Sequence, residues 1–444
     1  DDIPNGVLRD FSRWLAEPVC AIFNSSIRQG VVPVVWKCAN VVPIPKVNPP
    51  VSIESDLRPI SLTSCLSKIL EAFIGKLILH EIQDKIDKRQ FGALKGRSTT
   101  HALVDVLQHW HDALNNDQSI RVLFIDYAKA FDHVDHTIIV SKIRSLGVSD
   151  ILVRWVCSFL TQRKQRVKLS DVFSDWIQLK GSMPQGSWLG PLTFIILIND
   201  LSAHCDVLKY FDDTTLSEFI AINSNSDMEH IIADVVNWSR INLMNINWNK
   251  TKEMLIGPLA KQSVPLLNVG DIVVQRVNAF KLLGVSVKCD LKWDNHVDAI
   301  CGKAASRLYF LKLLKRSAVS KDDLLHFYFS NIRPILEYAY PVWHTSLNAE
   351  QTQRIESIQR RALIIIAGYD DFKSYTTANN ICTLHDRRES LCEMFFKSIL
   401  NVDNCLHYLL PPARHCDAVS KLRHFLEYVP KTAKTECQWR IQDL

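Results

Sequence analysis

The sequence predicts an α/β chain in which an antiparallel sheet carries acids at its strand ends and helices back it. Three observations point there. "RVLFID", Arg121 to Asp126, is a buried strand that ends in an acid. "LKYFDDTTL", Leu208 to Leu216, sets Asp212 and Asp213 between two strand-forming runs, as at a hairpin tip. Apolar residues at helical spacing follow both. At 444 residues the chain exceeds one compact core, so two or three domains or subdomains are expected.

In chain order, residues 1–60 alternate helical patches with extended segments. "VVPIPKVNPPVSIESDLRPISL" reads as strand, loop, strand, because its prolines forbid helix and favour an exposed hairpin or edge. Lys46 and Arg58 flank that loop. After Asp126, Ile139, Ile143 and Leu146 recur at helical spacing. "PLTFIILINDL" is a buried helix with Pro191 at its start, where a proline is tolerated. Asp227 caps a helix with Met228, Ile231, Ile232, Val235 and Val236 on one face. Beyond Phe280 come a short strand pair and a helix with Ile300, Ala304, Leu308, Leu311 and Leu314 on its inner side. Residues 350–444 read as mostly helical.

Composition excludes more than it assigns. With 47% hydrophobic and 22% charged residues, the chain is globular rather than disordered. Apolar runs such as "FIILI" are far too short to span a bilayer. The 12 cysteines lack paired Cys-x-x-Cys spacing, so neither a disulfide framework nor a strong zinc site is indicated. A reducing compartment, nucleus and cytoplasm, is expected. The net charge of +5 is concentrated. Lys281, Lys288, Lys292, Lys303, Arg307, Lys312, Lys315 and Arg316 face only Asp290, Asp294 and Asp298 in one segment, as on a surface that meets phosphates. The chain opens "DDIPNG" without a Met and reads as a fragment.

Carboxylates converging from strand ends repel one another unless divalent cations sit between them. Two magnesium ions bridged by such acids can activate an attacking oxygen and stabilise a leaving one in phosphoryl transfer. Asp126, Asp212 and Asp213 suffice for that. As turn or cap residues they would need no metal.

Around these acids stand "FIDYAKAFDHVDH", "GSMPQGSWLGPLTFIILINDL", "NINWNKTKEMLI" and "KLLGVSVKCDLKW", in that order. Together with "DLRPISLTSCLSKILEAFIGKL" and "QFGALKGRSTTHAL" upstream, and "SRLYFLKLLKRSAV" and "IRPILEYAYPVWH" downstream, they make a chain that resembles the reverse transcriptases of non-LTR, jockey-like retrotransposons. The resemblance implies a right-hand polymerase of fingers, palm and thumb with a helical C-terminal extension. Its expected boundaries are 1–118 for the N-terminal extension and fingers and 119–275 for the palm. The primer-positioning hairpin and thumb would take 276–345, and the C-terminal region 346–444. It implies RNA-directed DNA polymerase activity with two Mg2+ ions (Mn2+ as substitute) on Asp126, Asp212 and Asp213.

Further roles come with the same resemblance. Phe131 matches the ring that excludes a 2′-hydroxyl, and Gln185 and Gly186 match the turn over the nascent base pair. Lys46 and Arg58 match the residues that grip the triphosphate. Lys250, with Lys252 competing, would protonate the leaving pyrophosphate. Leu283 and Gly284 match the primer-positioning hairpin, and Lys303, Arg307 and Lys315 would track the phosphates of an RNA–DNA hybrid. The implied partners are an RNA template, a DNA primer or target, their hybrid, dNTPs and an upstream endonuclease region of the same polyprotein; no membrane is implied.

Two residues depart from the family pattern: Phe211 stands where a small residue usually precedes the paired acids, and Trp188 replaces a smaller aliphatic residue. They put efficiency in question, and a catalytically decayed remnant that only binds nucleic acid is the competing reading. A metal-dependent nuclease would share the acids but leave Phe131, Gln185, Lys46 and Arg58 unexplained. Cys405, His407, His415 and Cys416 in the tail match no standard zinc spacing.

Overall fold

The computed structural model describes residues 3–179 and 181–411, and the chain forms two compact units. The first comprises Asp1–Ala93, Ile125–Thr214 and His230–Thr251; the second comprises Leu94–Phe124, Thr215–Glu229 and Lys252–Leu444. The architecture is mixed α/β, as the sequence predicts.

In the first unit, strand Cys38–Pro45 pairs antiparallel with Leu57–Leu62 and parallel with Lys164–Leu169. The proline-rich segment is thus a hairpin whose second strand lies at the sheet edge. Pro43 and Pro59 sit opposite each other, so two missing N–H donors fall on one rung. The loop between them differs from expectation in one respect: Ile53–Asp56 forms a turn of helix. The prolines stop at Pro50; Ser52 caps this turn, and the Asp56 carboxylate accepts from Val51 N and Ser52 N, each at 3.0 Å.

Helices Cys65–Ile82, His136–Ser145, Asp150–Leu160 and Leu189–Ile198 supply the core of this unit through Leu70, Ile74, Ile78, Ile139, Ile143, Trp155 and Phe159. Leu189–Ile198 is buried on all sides, as its unbroken apolar sequence requires. Its N-terminus is closed by the fully buried Glu71, whose carboxylate accepts from Trp188 N at 2.8 Å and Leu189 N at 3.3 Å.

In the second unit, strand Ser119–Ile125 pairs antiparallel with Lys252–Ile256, which pairs parallel with Gln275–Arg276. Buried Glu253 binds both Arg121 at 2.6 Å and Arg276 at 2.7 Å, so its charge is met from both sides. Phe124 stacks on Phe280 at 3.9 Å. The expected strand pair is Ala279–Leu282 with Val285–Lys288, and the expected helix is Asp294–Arg316 with Ile300, Ala304, Leu308 and Leu311 buried. Leu314 is only partly covered. The C-terminal region is helical over Ala349–Ala367, Phe372–Ala378 and Leu384–Ile399. His415 and Cys416 lie outside the described residues. Among the described residues, no helix is long and apolar enough to cross a membrane.

Candidate active site

Asp126 follows the last residue of its strand, and its backbone is fixed by a second segment. The Asp126 carbonyl accepts from Asn247 N at 2.7 Å, and Ala128 N donates to Asn245 O at 2.8 Å. That segment continues into Lys250, whose N–H bonds back to Asn247 O at 3.1 Å. The result places Lys250 Nζ 3.4 Å from Asp126 Oδ2. Lys252, the competing lysine, donates to Gln275 Oε1 at 2.7 Å instead.

Asp212 ends the short connection between strands Asp206–Tyr210 and Asp213–Ile220, and Asp213 opens the second strand. Phe211 adopts a left-handed φ of 56°, which turns the chain sharply enough to put successive acids at one point. Lost hydration raises the protonation range of Asp212, and the Asp126 carboxylate adds to it. For Asp213, lost hydration, then Asp212, then Asp126 push the carboxyl up to about 6. Lys250 opposes both shifts. Asp126, remote in sequence, therefore acts on the adjacent pair Asp212 and Asp213 within the first unit.

A divalent cation suits this donor set. Asp126 Oδ2 is buried, and the Lys250 ammonium 3.4 Å away faces it without a hydrogen bond. Burial first, and the neighbouring carboxylates after it, raise the protonation ranges of Asp212 and Asp213, and a bound cation would oppose both effects. All the donors are hard oxygens, the class that takes Mg2+ or Mn2+.

The other predicted groups of this unit form a connected frame. Phe131 stacks on Phe194 with ring centroids 5.1 Å apart and keeps one side partly open. Met183 N donates to Phe131 O at 2.8 Å, and Gln185 Nε2 donates to Asp132 Oδ1 at 3.1 Å, so the two loops are zipped together. Gln185 O in turn accepts from Ser61 N at 2.7 Å. Gly186 has φ +126°, and a Cβ there would meet Ser61 O at 2.6 Å; only glycine allows that approach. Arg58, exposed, lies three residues before Ser61 on the same strand, opposite Ile44. Lys46, also exposed, currently donates from Nζ to Ser55 O at 2.8 Å.

Both departures from the family pattern face a glycine. A Cβ on Gly75 would lie 1.9 Å from the Trp188 ring, and a Cβ on Gly92 would lie 2.7 Å from Phe211 N and 2.8 Å from its ring. Each large side chain occupies space that a neighbouring residue gives up.

In the second unit, Leu283 (φ 44°) and Gly284 (φ 90°) form the two-residue turn of the expected hairpin. The Tyr338 hydroxyl donates to Leu283 O at 2.7 Å, and its ring would lie 3.0 Å from a Cβ on Gly284. Lys303, Arg307 and Lys315 are exposed on the outer face of helix Asp294–Arg316.

Sequence reasoning missed Glu71, Asn245 and Asn247. A lone acid in the apolar run "KILEAFIGKL" was the available signal for Glu71. The asparagines act through backbone atoms, which leave no side-chain signature. A separate cluster, His344, His385 and Glu389, has metal-ligand geometry. Its proton inventory opposes a metal, however. Arg388 Nε donates to His344 Nδ1 at 3.2 Å, which leaves the ring proton on Nε2, 3.0 Å from Glu389. In the tail, His407 Nδ1 meets Ile399 O at 3.0 Å and Cys405 Sγ donates to Gly96 O at 3.8 Å.

Comparison with known proteins adds a family. Residues 44–287 match the family described as reverse transcriptase (RNA-dependent DNA polymerase). The chain is 26% identical over 391 residues to the probable RNA-directed DNA polymerase from transposon X-element of Drosophila melanogaster, covering 85% of this chain and 43% of that protein. It is 25% identical over 385 residues to the RNA-directed DNA polymerase from mobile element jockey of the same fly, covering 83% and 42%. The chain thus spans less than half the length of these relatives. A solved structure of apo telomerase from Candida tropicalis is similar at a TM-score of 0.45 and 14% identity, covering 82% of this chain and 64% of that one.

Proposed function

The chain belongs to the reverse transcriptase family, and from that premise we propose that it is the RNA-directed DNA polymerase of a non-LTR mobile element. The reaction is attack of a primer 3′-hydroxyl on the α-phosphate of a dNTP, with release of pyrophosphate. The observation that carries the reading is the left-handed turn at Phe211, which presents Asp212 and Asp213 where the charge of Asp126, itself 3.4 Å from Lys250 Nζ, reaches them.

Two Mg2+ ions on these carboxylates, or Mn2+ in their place, would supply charge that favours the attacking alkoxide and the leaving oxygen. The chain's own residues do the rest by position and charge. Lys250, beside Asp126, is placed to donate a proton to the departing pyrophosphate. Arg58 offers a planar fork and Lys46 a point charge for the triphosphate, once Lys46 leaves Ser55 O. Phe131, braced by Phe194, presents a ring under the sugar and excludes a 2′-hydroxyl. Gln185 and Gly186 border the template base pair. Leu283 and Gly284 hold the primer end, and Lys303, Arg307 and Lys315 follow the hybrid's phosphates. The division into fingers, palm, thumb and C-terminal region at residues 118, 275 and 345 belongs to this reading. So do a DNA primer or target, an upstream endonuclease region and residence in nucleus and cytoplasm.

The remnant reading finds no support in Phe211 or Trp188, since Gly92 and Gly75 accommodate them. Primer extension on an RNA template with Mg2+ tests the proposal. Asp212→Asn should lower the rate by at least about 100-fold, the scale that misplacement by about 1 Å already costs. Full-rate extension by that variant would overturn the assignment. Phe131→Ala should admit ribonucleotides, read as incorporation of rNTPs beside dNTPs.

A further inference from the structure

The turn that bears the paired acids is held from one side by the segment from Asp87 to Gly92. That segment runs beside strand Asp206–Tyr210: Lys209 N donates to Arg89 O at 3.0 Å, and Phe91 N donates to Lys209 O at 2.8 Å. Two side-chain anchors fix the pairing. Arg89 grips the Asp206 carboxylate with both Nη atoms at the start of the strand. Lys209, fully buried, binds Asp87 at 2.7 Å and donates to the Ile198 and Asn199 carbonyls, both at 3.1 Å.

Between Arg89 and Phe91, paired with Lys209, stands Gln90, also fully buried. Its Oε1 accepts two backbone N–H groups, Gly92 N at 2.8 Å and Phe211 N at 3.2 Å. Phe211 is the residue with φ 56°, a conformation that an aromatic residue adopts at a cost and keeps only when its surroundings impose it. Here the surroundings are the Gln90 carbonyl on its N–H and the bare Cα of Gly92 against its ring. Relaxing φ at Phe211 would rotate the chain that leads directly into Asp212 and Asp213.

We propose that Gln90 is a positioning residue for nucleotidyl transfer: by holding the Phe211 amide, its side-chain carbonyl sets the direction in which Asp212 and Asp213 present their carboxylates. The proposal rests on the reading of those acids as metal ligands. Gln90 touches neither substrate nor reacting atoms. Gln90→Leu keeps the volume and removes the acceptor; Gln90→Glu keeps an acceptor at the same reach.

The test uses the full chain with an RNA template, a DNA primer and Mg2+, and separately the nucleic-acid-free chain titrated with Mn2+ by electron paramagnetic resonance. Gln90→Leu should lower kcat about 10- to 100-fold while the dNTP KM and hybrid affinity stay within about twofold. Mn2+ binding should weaken by about 10- to 100-fold as well, and Gln90→Glu should restore most of both. A purely structural role would instead lower the melting temperature and hybrid affinity together and leave Mn2+ binding intact; that result overturns the proposal. If Gln90→Leu does not fold, Gly92→Ala presses Phe211 from the same side with Gln90 intact. Unchanged kcat and Mn2+ binding in that variant also overturn it. Asp212→Asn run alongside separates the failures. Its retention of full rate defeats the metal reading and the proposal with it; its inactivity beside a fully active Gln90→Leu defeats the proposal alone.

Discussion

Stripped of water by burial, and with Asp212 and then Asp126 beside it, Asp213 has its carboxyl pushed up to about 6 from the ordinary 3.8. Its folded-state value is raised, so its contribution to stability is full below the unfolded value near 4 and is lost as pH rises through about 6. Above that window the metal-free chain holds repelling carboxylates, and an added divalent cation relieves them. Mn2+ should therefore raise the melting temperature little at pH 5 and clearly at pH 7.5. Asp213→Asn should stabilise the metal-free chain at pH 7.5 and shrink the Mn2+-induced rise. A Mn2+ effect that stays constant from pH 5 to 7.5 would contradict this account. The acids themselves were legible in the sequence because two strand-like runs ended on them. The restraints on them were not: Gln90 reaches Phe211 across 121 positions, and no local pattern announces a bond of that span.

At the scale of elements, prolines and apolar spacing announced the hairpin Cys38–Pro45 with Leu57–Leu62, the buried helix Leu189–Ile198 and the helix Asp294–Arg316. They did not announce the short helix Ile53–Asp56, which depends on two side-chain caps rather than on periodicity. Nor did they reveal how Leu189–Ile198 begins. An all-apolar helix leaves its first N–H groups in a dry interior, and Glu71, 117 positions from Trp188, supplies their acceptor. Glu71→Ala would leave the buried Leu189 N–H and the part-buried Trp188 N–H without their acceptor, at up to about 1–3 kcal/mol each. Urea unfolding should show a loss of about 2–5 kcal/mol on the same scale. The other Glu71 oxygen accepts from the Ser67 hydroxyl at 2.8 Å, within its own helix, so the loss should appear in stability. An unchanged midpoint would mean that water or another group caps the helix. The same scale explains Phe211 and Trp188: each reads as damage in the sequence and as fit in the structure, because its complement is a distant glycine.

For the molecule as a whole, the net charge of +5 misleads until its partners are counted. Of the three acids in the basic segment, Asp290 and Asp294 lie 3.2 and 3.6 Å from Lys288, and Asp298 pairs with Arg354. These pairings engage each of the segment's acids locally. They leave Lys303, Arg307 and Lys315 exposed on a face whose other side is anchored by Ile300, Ala304, Leu308 and Leu311. A face of this kind attracts phosphates through counterion release and reads no bases. Affinity for an RNA–DNA hybrid should therefore fall steeply with salt. Replacing Lys303, Arg307 and Lys315 together with alanine should reduce the slope of log affinity against log salt by about 0.9 for each phosphate left without its cation. The weakening should be the same for hybrids of unrelated sequence. The value of kcat at saturating hybrid should hold, because none of the three belongs to the unit that carries the acids. Asp212→Asn, measured in the same titration, should leave the slope unchanged. A slope that survives the triple replacement would move the phosphate-binding surface off this helix.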